Sequence, residues 1–263
     1  MKVELLNPEV VRDLYKNHGE FACVCYDTPV EKAEGVGKHC QDNGHFSGSR
    51  CEYIKFRISD IDRGTAEQCL RHEIGTDVPF EYQDNYSFSD YMEQVKDIPA
   101  DHVVKNMASF RYIDKSGFKW ETPRLIRDYP HIWDVYKEDM AEISRRRDSL
   151  RNMLLKAGED PKKVNEAVNF YLPRATLSEF VIGFTPEALI QFMHKRLCNR
   201  AQEFIWELAF NMKFEVRKFN PRFADKELVP QCEHLMWCPE GKSCCGYKPT
   251  KEKLKEKLEN GLW

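Results

Sequence analysis

The chain has 263 residues and a formal net charge of -3, with 41% hydrophobic and 32% charged residues, which is a globular composition. This balance excludes a global basic field for nucleic acid, so any anion must be bound by local arginines. No apolar run approaches the roughly 20 residues that span a bilayer, and the N-terminus has no secretory h-region. We therefore expect a cytoplasmic protein without membrane contact.

Hydrophobic periodicity predicts alternating helices and strands in the first part of the chain. In chain order we predict a strand (2–6), a helix (8–18), a strand or buried turn (21–26), a helix (30–42), a Gly/Ser-rich loop (43–50), a strand (51–61) and a short helix (63–73). Residues 76–105 lack a sustained period, and a connection of this length usually serves as a lid or an interface arm.

In the second part of the chain we predict a strand (106–114), a long amphipathic helix (131–156), a helix (161–172), a strand (176–184) and two helices within 188–208. A polar tail follows, and residues 251–258 end the chain. The Arg-rich segment at 144–148 is expected on the solvated face of the long helix. Asn199 and Gln202 have the spacing of a capping box, which predicts that the second of the paired helices starts near Asn199.

Two polar clusters precede residues 76–105, the segment without a hydrophobic period. Arg71 and His72 are adjacent, so one could bind a phosphate or carbonyl while the other contacts a ring; a surface pair is the alternative. His45 stands in a glycine-rich loop whose backbone can approach a ligand closely, although it could equally be a loop histidine without a role.

Two further polar clusters follow residues 76–105. In a strand, Ser109 and Arg111 would share one face and form a compact anion pocket, and the absence of a local base favours binding over nucleophilic attack. At the junction of the paired helices stand His194, Lys195, Arg196 and Arg200. Taken alone, this junction is interpreted as a solvated basic turn between two core helices, with phosphate or carbonyl recognition as the alternative.

The tail is rich in cysteine. Because a reducing compartment favours free thiols or a metal site over disulfides, four of its five possible ligands could complete a zinc tetrahedron. The spacing does not match the usual paired knuckles, so we expect buried thiols and no metal. The five are Cys232, His234, Cys238, Cys244 and Cys245.

In combination these pieces resemble the flavin-dependent thymidylate synthases. Arg71-His72 followed by Asn106-x-x-Ser109-x-Arg111-Tyr112 is similar to that family's signature R-H-R-x-x-S-x-N-E-x-S-x-R-Y, with an insertion at about 77–105. Further matches in order are Asn43-Gly44-His45 with Glu52, Leu172-Pro173, Ser178-Glu179-Phe180, the segment from Leu189 to Arg196, Ala201-Gln202 and the tail from Cys238 to Cys244.

The resemblance implies an α+β fold with a mixed or antiparallel sheet flanked by long helices. It implies one domain over 1–230 with the Cys-rich tail at 231–263, and a homotetramer with FAD at subunit interfaces. The family methylates dUMP at C5, with methylenetetrahydrofolate as carbon donor and NADPH as the reductant that regenerates FADH2. In this family the flavin carries out the redox chemistry, so the protein mainly positions the substrates and polarises the pyrimidine ring.

Carried over position by position, the resemblance assigns the nucleotide to Gln68, Arg71, Ser109, Arg111 and Arg196. It places His45, Ser47, Arg71, His72, Glu73 and Gln191 against FAD. The side chains expected to act most directly in catalysis are Arg196, Ser109 and His72.

Three positions depart from the family pattern. Glu73 stands in place of an arginine, Met107 in place of a glutamate, and Asn169 in place of an arginine that helps bind the nucleotide phosphate. These changes leave open a related one-carbon modification of another pyrimidine nucleotide, such as hydroxymethylation. A non-catalytic nucleotide-binding descendant and a zinc-stabilised interaction protein are the alternatives from other classes.

Overall fold

An antiparallel sheet forms the core of the computed structural model, which describes residues 1–70 and 103–259. Its strands are β1 (Lys2–Leu5), β2 (Ile54–Asp62), β3 (Val103–Met107) and β4 (Leu177–Phe184), in the order β1-β2-β4-β3. In β2, Ile54, Phe56 and Ile58 are buried while Lys55 and Arg57 are exposed, which confirms the predicted alternation. The chain thus combines helices with an antiparallel sheet, which is compatible with the predicted α+β class.

Among residues 1–70, the helices are α1 (Pro8–Arg12), α2 (Leu14–Cys25), α3 (Ala33–Asp42) and α4 (Arg63–Leu70). The prediction of a strand or buried turn over residues 21–26 is wrong, because α2 continues through Cys25. Ala22 and Cys23 are buried one turn beyond His18 and Gly19, so these residues extend the same helical stripe.

The helices α2 and α3 pack with almost no space between their backbones. A Cβ atom on Gly19 would lie 1.7 Å from the Ala33 carbonyl oxygen, and one on Gly37 would lie 1.8 Å from the Tyr15 carbonyl oxygen. Glycine is therefore required at both positions for this close approach.

The helices after β3 are α5 (Arg124–Arg127), α6 (Pro130–Lys156), α7 (Pro161–Val168), α8 (Pro186–Arg196), α9 (Glu203–Arg217), α10 (Pro221–Lys226), α11 (Gln231–His234) and α12 (Lys251–Glu259). Short 3-10 helices span Val30–Lys32, Ser47–Cys51, Asn169–Tyr171 and Gly241–Ser243. Among the described helices, none combines the length and apolar character that crossing a membrane requires.

The long helix predicted over 131–156 is confirmed as α6, but its arginine segment is not wholly solvated. Arg145 and Arg146 are exposed, whereas the Arg147 side chain is fully buried. Arg147 donates from Nη1 to Asp148 Oδ1 at 2.7 Å and from Nη2 to Asn169 Oδ1 at 3.4 Å. Burial of this guanidinium is tolerated because it has these acceptors.

The paired helices α8 and α9 carry the apolar faces predicted for them. Leu189, Phe192 and Met193 of α8 are fully buried, and so are Ile205 and Leu208 of α9. The Thr185 side chain caps α8 by accepting from Ala188 N at 3.3 Å. This capped and buried helix gives its C-terminal residues, including Arg196, a fixed position on the core.

The predicted start of α9 is wrong, because the helix begins at Glu203 and not near Asn199. A turn closed by Ala201 N donating to Cys198 O at 2.8 Å occupies the junction. The Asn199 side chain donates to Cys245 Sγ at 3.8 Å, so it contacts the tail and does not cap the helix.

Candidate functional site

Arg196, at the end of α8, lies beside the thiol of Cys69 near the end of α4. The Arg196 side chain is half-buried, and burial lowers the pKa of its guanidinium. Cys69 is fully buried, and burial raises the pKa of its thiol to about 12, while the nearby cations Arg196 and Lys105 oppose that rise. Arg196 and Lys105 are therefore close enough to Cys69 to interact with it electrostatically.

The guanidinium of Arg196 is only partly satisfied. Its Nε is buried and has no hydrogen-bond partner within residues 1–70 and 103–259. A buried polar donor without an acceptor is costly, commonly about 1–3 kcal/mol. Such a donor fits a site that a ligand carbonyl or anion completes.

The helix α4 brings a second predicted ligand residue to this point. Gln68 is half-buried and directly precedes Cys69 in the helix. The start of α4 is fixed by Asp62, whose Oδ1 accepts from Thr65 N at 2.8 Å. Arg71, His72, Glu73 and most of the predicted insertion at about 77–105 lie outside the described residues.

The segment that carries Ser109 and Arg111 is a turn, so the prediction of a strand over 106–114 is wrong beyond Met107. Tyr112 N donates to Ser109 O at 3.1 Å, and both Ser109 and Arg111 are exposed. Ladder pairing with β4 ends after Met107, and Ala108 N still donates to Glu179 O at 2.9 Å. Ser109 and Arg111 are close in sequence, but they do not alternate along one strand face.

Two side chains hold this turn against the α6–α7 layer. Asn169 donates from Nδ2 to Phe110 O at 2.7 Å, and its Oδ1 accepts from the buried Arg147. Arg111 Nε lies 3.2 Å from Glu166 Oε2 in an exposed ion pair. Sequence reasoning treated Asn169 only as a lost arginine and missed this tether; an asparagine after a helix, able to bond backbone, was the available signal.

His45 lines a separate cleft of about 360 Å³ between α2, α3 and the loop that follows α3. Its wall also contains the rings of Phe21, Tyr26 and Phe46. His18 lies at its base with a buried Nδ1 that has no hydrogen-bond partner among the described residues, and burial lowers the pKa of this imidazole. Aromatic and imidazole walls fit a flat heteroaromatic ring such as a flavin.

The loop that bears His45 is tied to α8. Ser47 begins the short helix Ser47–Cys51, and Arg50 Nε lies 2.7 Å from Glu187 Oε2 at the start of α8. Gln191 is half-buried one turn further along α8, on the Glu187 side. The same helix therefore carries a predicted flavin residue, Gln191, and a predicted nucleotide residue, Arg196.

The junction after α8 is covered by the cysteine-rich tail. His194 is largely buried, and burial lowers the pKa of its imidazole to about 4, with a further contribution from His234. The two imidazole rings have centroids 5.0 Å apart. The solvated basic turn that the sequence alone favoured is therefore wrong for His194 and Arg196, because both side chains are half-buried.

Comparison with known proteins identifies the family. The model of the thymidylate synthase complementing protein family, Thy1, matches residues 14–222. A flavin-dependent thymidylate synthase of Thermococcus onnurineus is 30% identical over 81% of this chain and 76% of its own length. A flavin-dependent thymidylate synthase of Clostridium tetani is 27% identical over 87% of this chain and 83% of its own. The chain therefore belongs to the thymidylate synthase complementing protein family.

Proposed function

We propose that the chain is an FAD-dependent thymidylate synthase, a transferase that methylates dUMP at C5 to give dTMP. Methylenetetrahydrofolate donates the carbon, and NADPH is the reductant. Membership of the Thy1 family and the names of the curated relatives support the enzyme class and the flavin. The bound flavin supplies the hydride chemistry that protein side chains lack.

The observation that carries this proposal is the half-buried guanidinium of Arg196 beside α4. A guanidinium stays protonated in proteins, so Arg196 can donate to a pyrimidine carbonyl or to a phosphate. A cation at the carbonyl withdraws electron density from the ring and makes C6 a better hydride acceptor. The Nε atom, which has no hydrogen-bond partner among the described residues, supports this role because the nucleotide would supply an acceptor.

Gln68, Arg71, Ser109 and Arg111 are proposed to hold the rest of the nucleotide, with Ser109 and His72 assisting Arg196 in catalysis. Arg111 would exchange Glu166 for a ligand anion. This exchange loses little free energy, because an exposed ion pair contributes only about 0–1 kcal/mol. The proposed flavin contacts are His45, Ser47, Arg71, His72, Glu73 and Gln191, of which His45 lines an aromatic cleft.

The proposal includes one domain over 1–230, a tail over 231–263, a cytoplasmic location and a homotetramer. Exposed apolar side chains support the assembly. Trp206, Phe210 and Phe214 are solvent-exposed at four-residue spacing along α9, so they form one stripe. Large exposed apolar stripes are typical of subunit interfaces.

The departures from the family pattern do not by themselves favour a different product. Met107 packs against the hydrophobic core at the end of β3, and Asn169 tethers the turn that carries Ser109 and Arg111. Both residues thus have structural roles that require no change of substrate. Glu73 lies outside the described residues.

Reconstitution and a substrate comparison test the proposal. The purified full-length chain should bind FAD, and NADPH should bleach the flavin absorbance under anaerobic conditions. With methylenetetrahydrofolate, dUMP should be modified and dCMP should not. A colourless protein that takes up no FAD would overturn the proposal, whereas flavin reduction with modification of dCMP only would favour the alternative product.

A further inference from the structure

Four cysteine thiols from separate parts of the sequence line one cavity. This cavity has a volume of about 240 Å³ and lies between the α8–α9 junction and the tail. Cys198 comes from the junction, Cys232 from α11, and Cys238 and Cys245 from the loop that follows. None of the described cysteines is disulfide-bonded, so all four thiols are free in this structure.

The four thiols are also electrostatic neighbours. The Cys232 thiol is close enough to those of Cys238, Cys198 and Cys245 to interact with them electrostatically. Thiols grouped in this way can lose their protons and become thiolate ligands when a soft cation binds. The cluster therefore has the composition of a soft-metal site.

Hydrogen-bond donors and cations surround this cluster. Arg200 N donates to Cys198 Sγ at 3.5 Å, and the Asn199 side chain donates to Cys245 Sγ at 3.8 Å. Donors of this kind orient metal-bound thiolates and stabilise their charge. Lys195, Arg196 and Arg200 line the same cavity and would offset a net negative site.

We propose that Cys198, Cys232, Cys238 and Cys245 bind one Zn²⁺ ion in a structural tetrathiolate site. Four thiols and one Zn²⁺ give a Zn(SR)₄ centre of charge -2 and release four protons, without oxidation or reduction. Thiolate ligands and four-fold coordination favour Zn²⁺ over hard cations such as Mg²⁺ or Ca²⁺.

The thiols lie on the cavity wall and do not yet converge. Among the described residues, no group of three or more His, Cys, Asp or Glu side chains is placed so that it could hold a metal ion. Binding therefore requires the four side chains to turn inward. The backbone around them is already fixed, since Cys238 N donates to Pro249 O at 2.7 Å and Cys238 forms a bridge with Thr250.

Cys244 is left out of the ligand set because of its position, although its thiol also neighbours Cys238. Its Sγ donates to Lys248 O at 3.3 Å and accepts from Gly246 N at 3.3 Å. It does not line the cavity that the other four thiols share. This difference from the adjacent Cys245 provides a matched control.

Metal content tests the proposal independently of catalysis. The full-length chain, produced without a polyhistidine tag, should contain about one zinc per chain by plasma mass spectrometry. After zinc removal, Co²⁺ should give the intense visible absorption of a tetrahedral thiolate complex. The variants Cys198→Ser, Cys232→Ser, Cys238→Ser and Cys245→Ser should each lose most of the bound zinc and shift the cobalt spectrum.

The control variants are Cys244→Ser and Cys25→Ser, which should keep the zinc of the unsubstituted chain. Soluble, folded chain without stoichiometric zinc that takes up neither Zn²⁺ nor Co²⁺ would overturn the proposal. Zinc retained by Cys245→Ser but lost in Cys244→Ser would overturn the ligand assignment. If serine variants do not fold, the cobalt spectrum of the unsubstituted chain still decides between a tetrathiolate site and none.

Discussion

The guanidinium of Arg196 is half-buried beside Cys69, and its Nε has no hydrogen-bond partner in the described part of the chain. Arg196→Ala should weaken dUMP binding by about 2–4 kcal/mol, the cost of removing one partner of a buried charged contact. Flavin content should stay nearly unchanged, because the His45 cleft lies elsewhere. Calorimetry with dUMP and the flavin absorbance of the purified variant measure both quantities.

Arg145→Ala provides the control for Arg196→Ala. It removes an exposed guanidinium on α6 that pairs with the surface carboxylate of Glu142. dUMP affinity should be unchanged in this variant. If Arg196→Ala lowers flavin content and nucleotide affinity together, or changes neither, the role assigned to Arg196 is wrong.

Cys69 should make the fold sensitive to alkaline pH. Burial raises the pKa of its thiol from 9.0 to about 12. Because the folded-state pKa lies above the unfolded one, this stabilisation is present below pH 9 and is lost as pH rises toward 12. Between pH 8 and pH 10 the free energy of unfolding should fall by about 1 kcal/mol through this thiol.

Denaturant titrations of the unsubstituted chain and of Cys69→Ala at both pH values isolate that contribution. Tyr15, whose pKa burial also raises to about 12, affects both proteins equally. The stability of Cys69→Ala should therefore fall less over this interval. Equal losses in the two proteins would show that the Cys69 thiol is not deeply buried in solution.

Individual buried polar residues were the hardest features to predict from sequence. The helical spacing of α6 was clear, but Arg147 stands in a run of three arginines, and nothing local distinguishes it from its exposed neighbours. Its burial depends on Asn169, 22 positions away. Asn169 in turn bonds the turn at Phe110, a contact that only the tertiary structure creates.

At the scale of elements, the contact between α2 and α3 depends on glycine. Gly37→Ala should destabilise the fold by at least about 2 kcal/mol, because the new Cβ would lie 1.8 Å from a backbone oxygen and the helices must separate. Gly35→Ala, two residues earlier in the same helix, meets nothing within 4 Å. It should be neutral or stabilise by about 0.5–1 kcal/mol through helix propensity.

Thermal and denaturant unfolding of the two variants measures this difference. If Gly37→Ala proves as stable as Gly35→Ala, the close packing of α2 against α3 is not present in solution.

Elements with a strong, uninterrupted period were predictable. β2 alternates over five residues and α6 repeats over seven turns, so their type and approximate limits followed from hydrophobicity. Errors arose where a tertiary contact replaced a local one. Asn199 bonds the tail and not its helix, and the chain turns away from β4 after Met107.

At the scale of the whole molecule, the exposed stripe of α9 should lie at a subunit interface. Trp206 and Phe210 stack with ring centroids 5.3 Å apart, and Phe210 is 48% exposed. Phe210→Glu would place a charge in that interface and should lower the molecular mass measured by light scattering. The unsubstituted chain should have the mass of a tetramer.

Lys253→Asp, an exposed charge change on the tail helix α12, is the matched control and should leave the tetramer intact. A monomeric unsubstituted chain would contradict the proposed assembly. A tetramer that tolerates Phe210→Glu would place the interface on another surface.

At the scale of the whole molecule, the sequence predicted the family but not the full cysteine cluster. Scattered motifs along most of the chain identified the family, which the match over residues 14–222 confirms. The cysteine cluster was only partly visible, because Cys198 lies 34 residues before Cys232 and joins the tail through folding. Cys198 was not predicted as part of the cluster because it lies far from the tail along the chain.

The central claim is the conversion of dUMP to dTMP by this chain. The most direct measurement is an anaerobic reaction of the full-length protein with FAD, NADPH, methylenetetrahydrofolate and dUMP, followed by mass spectrometry of the nucleotide. We predict a product whose mass corresponds to dUMP with a methyl group in place of one hydrogen, and much less of it with Arg196→Ala. Unmodified dUMP, or a hydroxymethylated product, from protein that binds and reduces flavin would contradict the account.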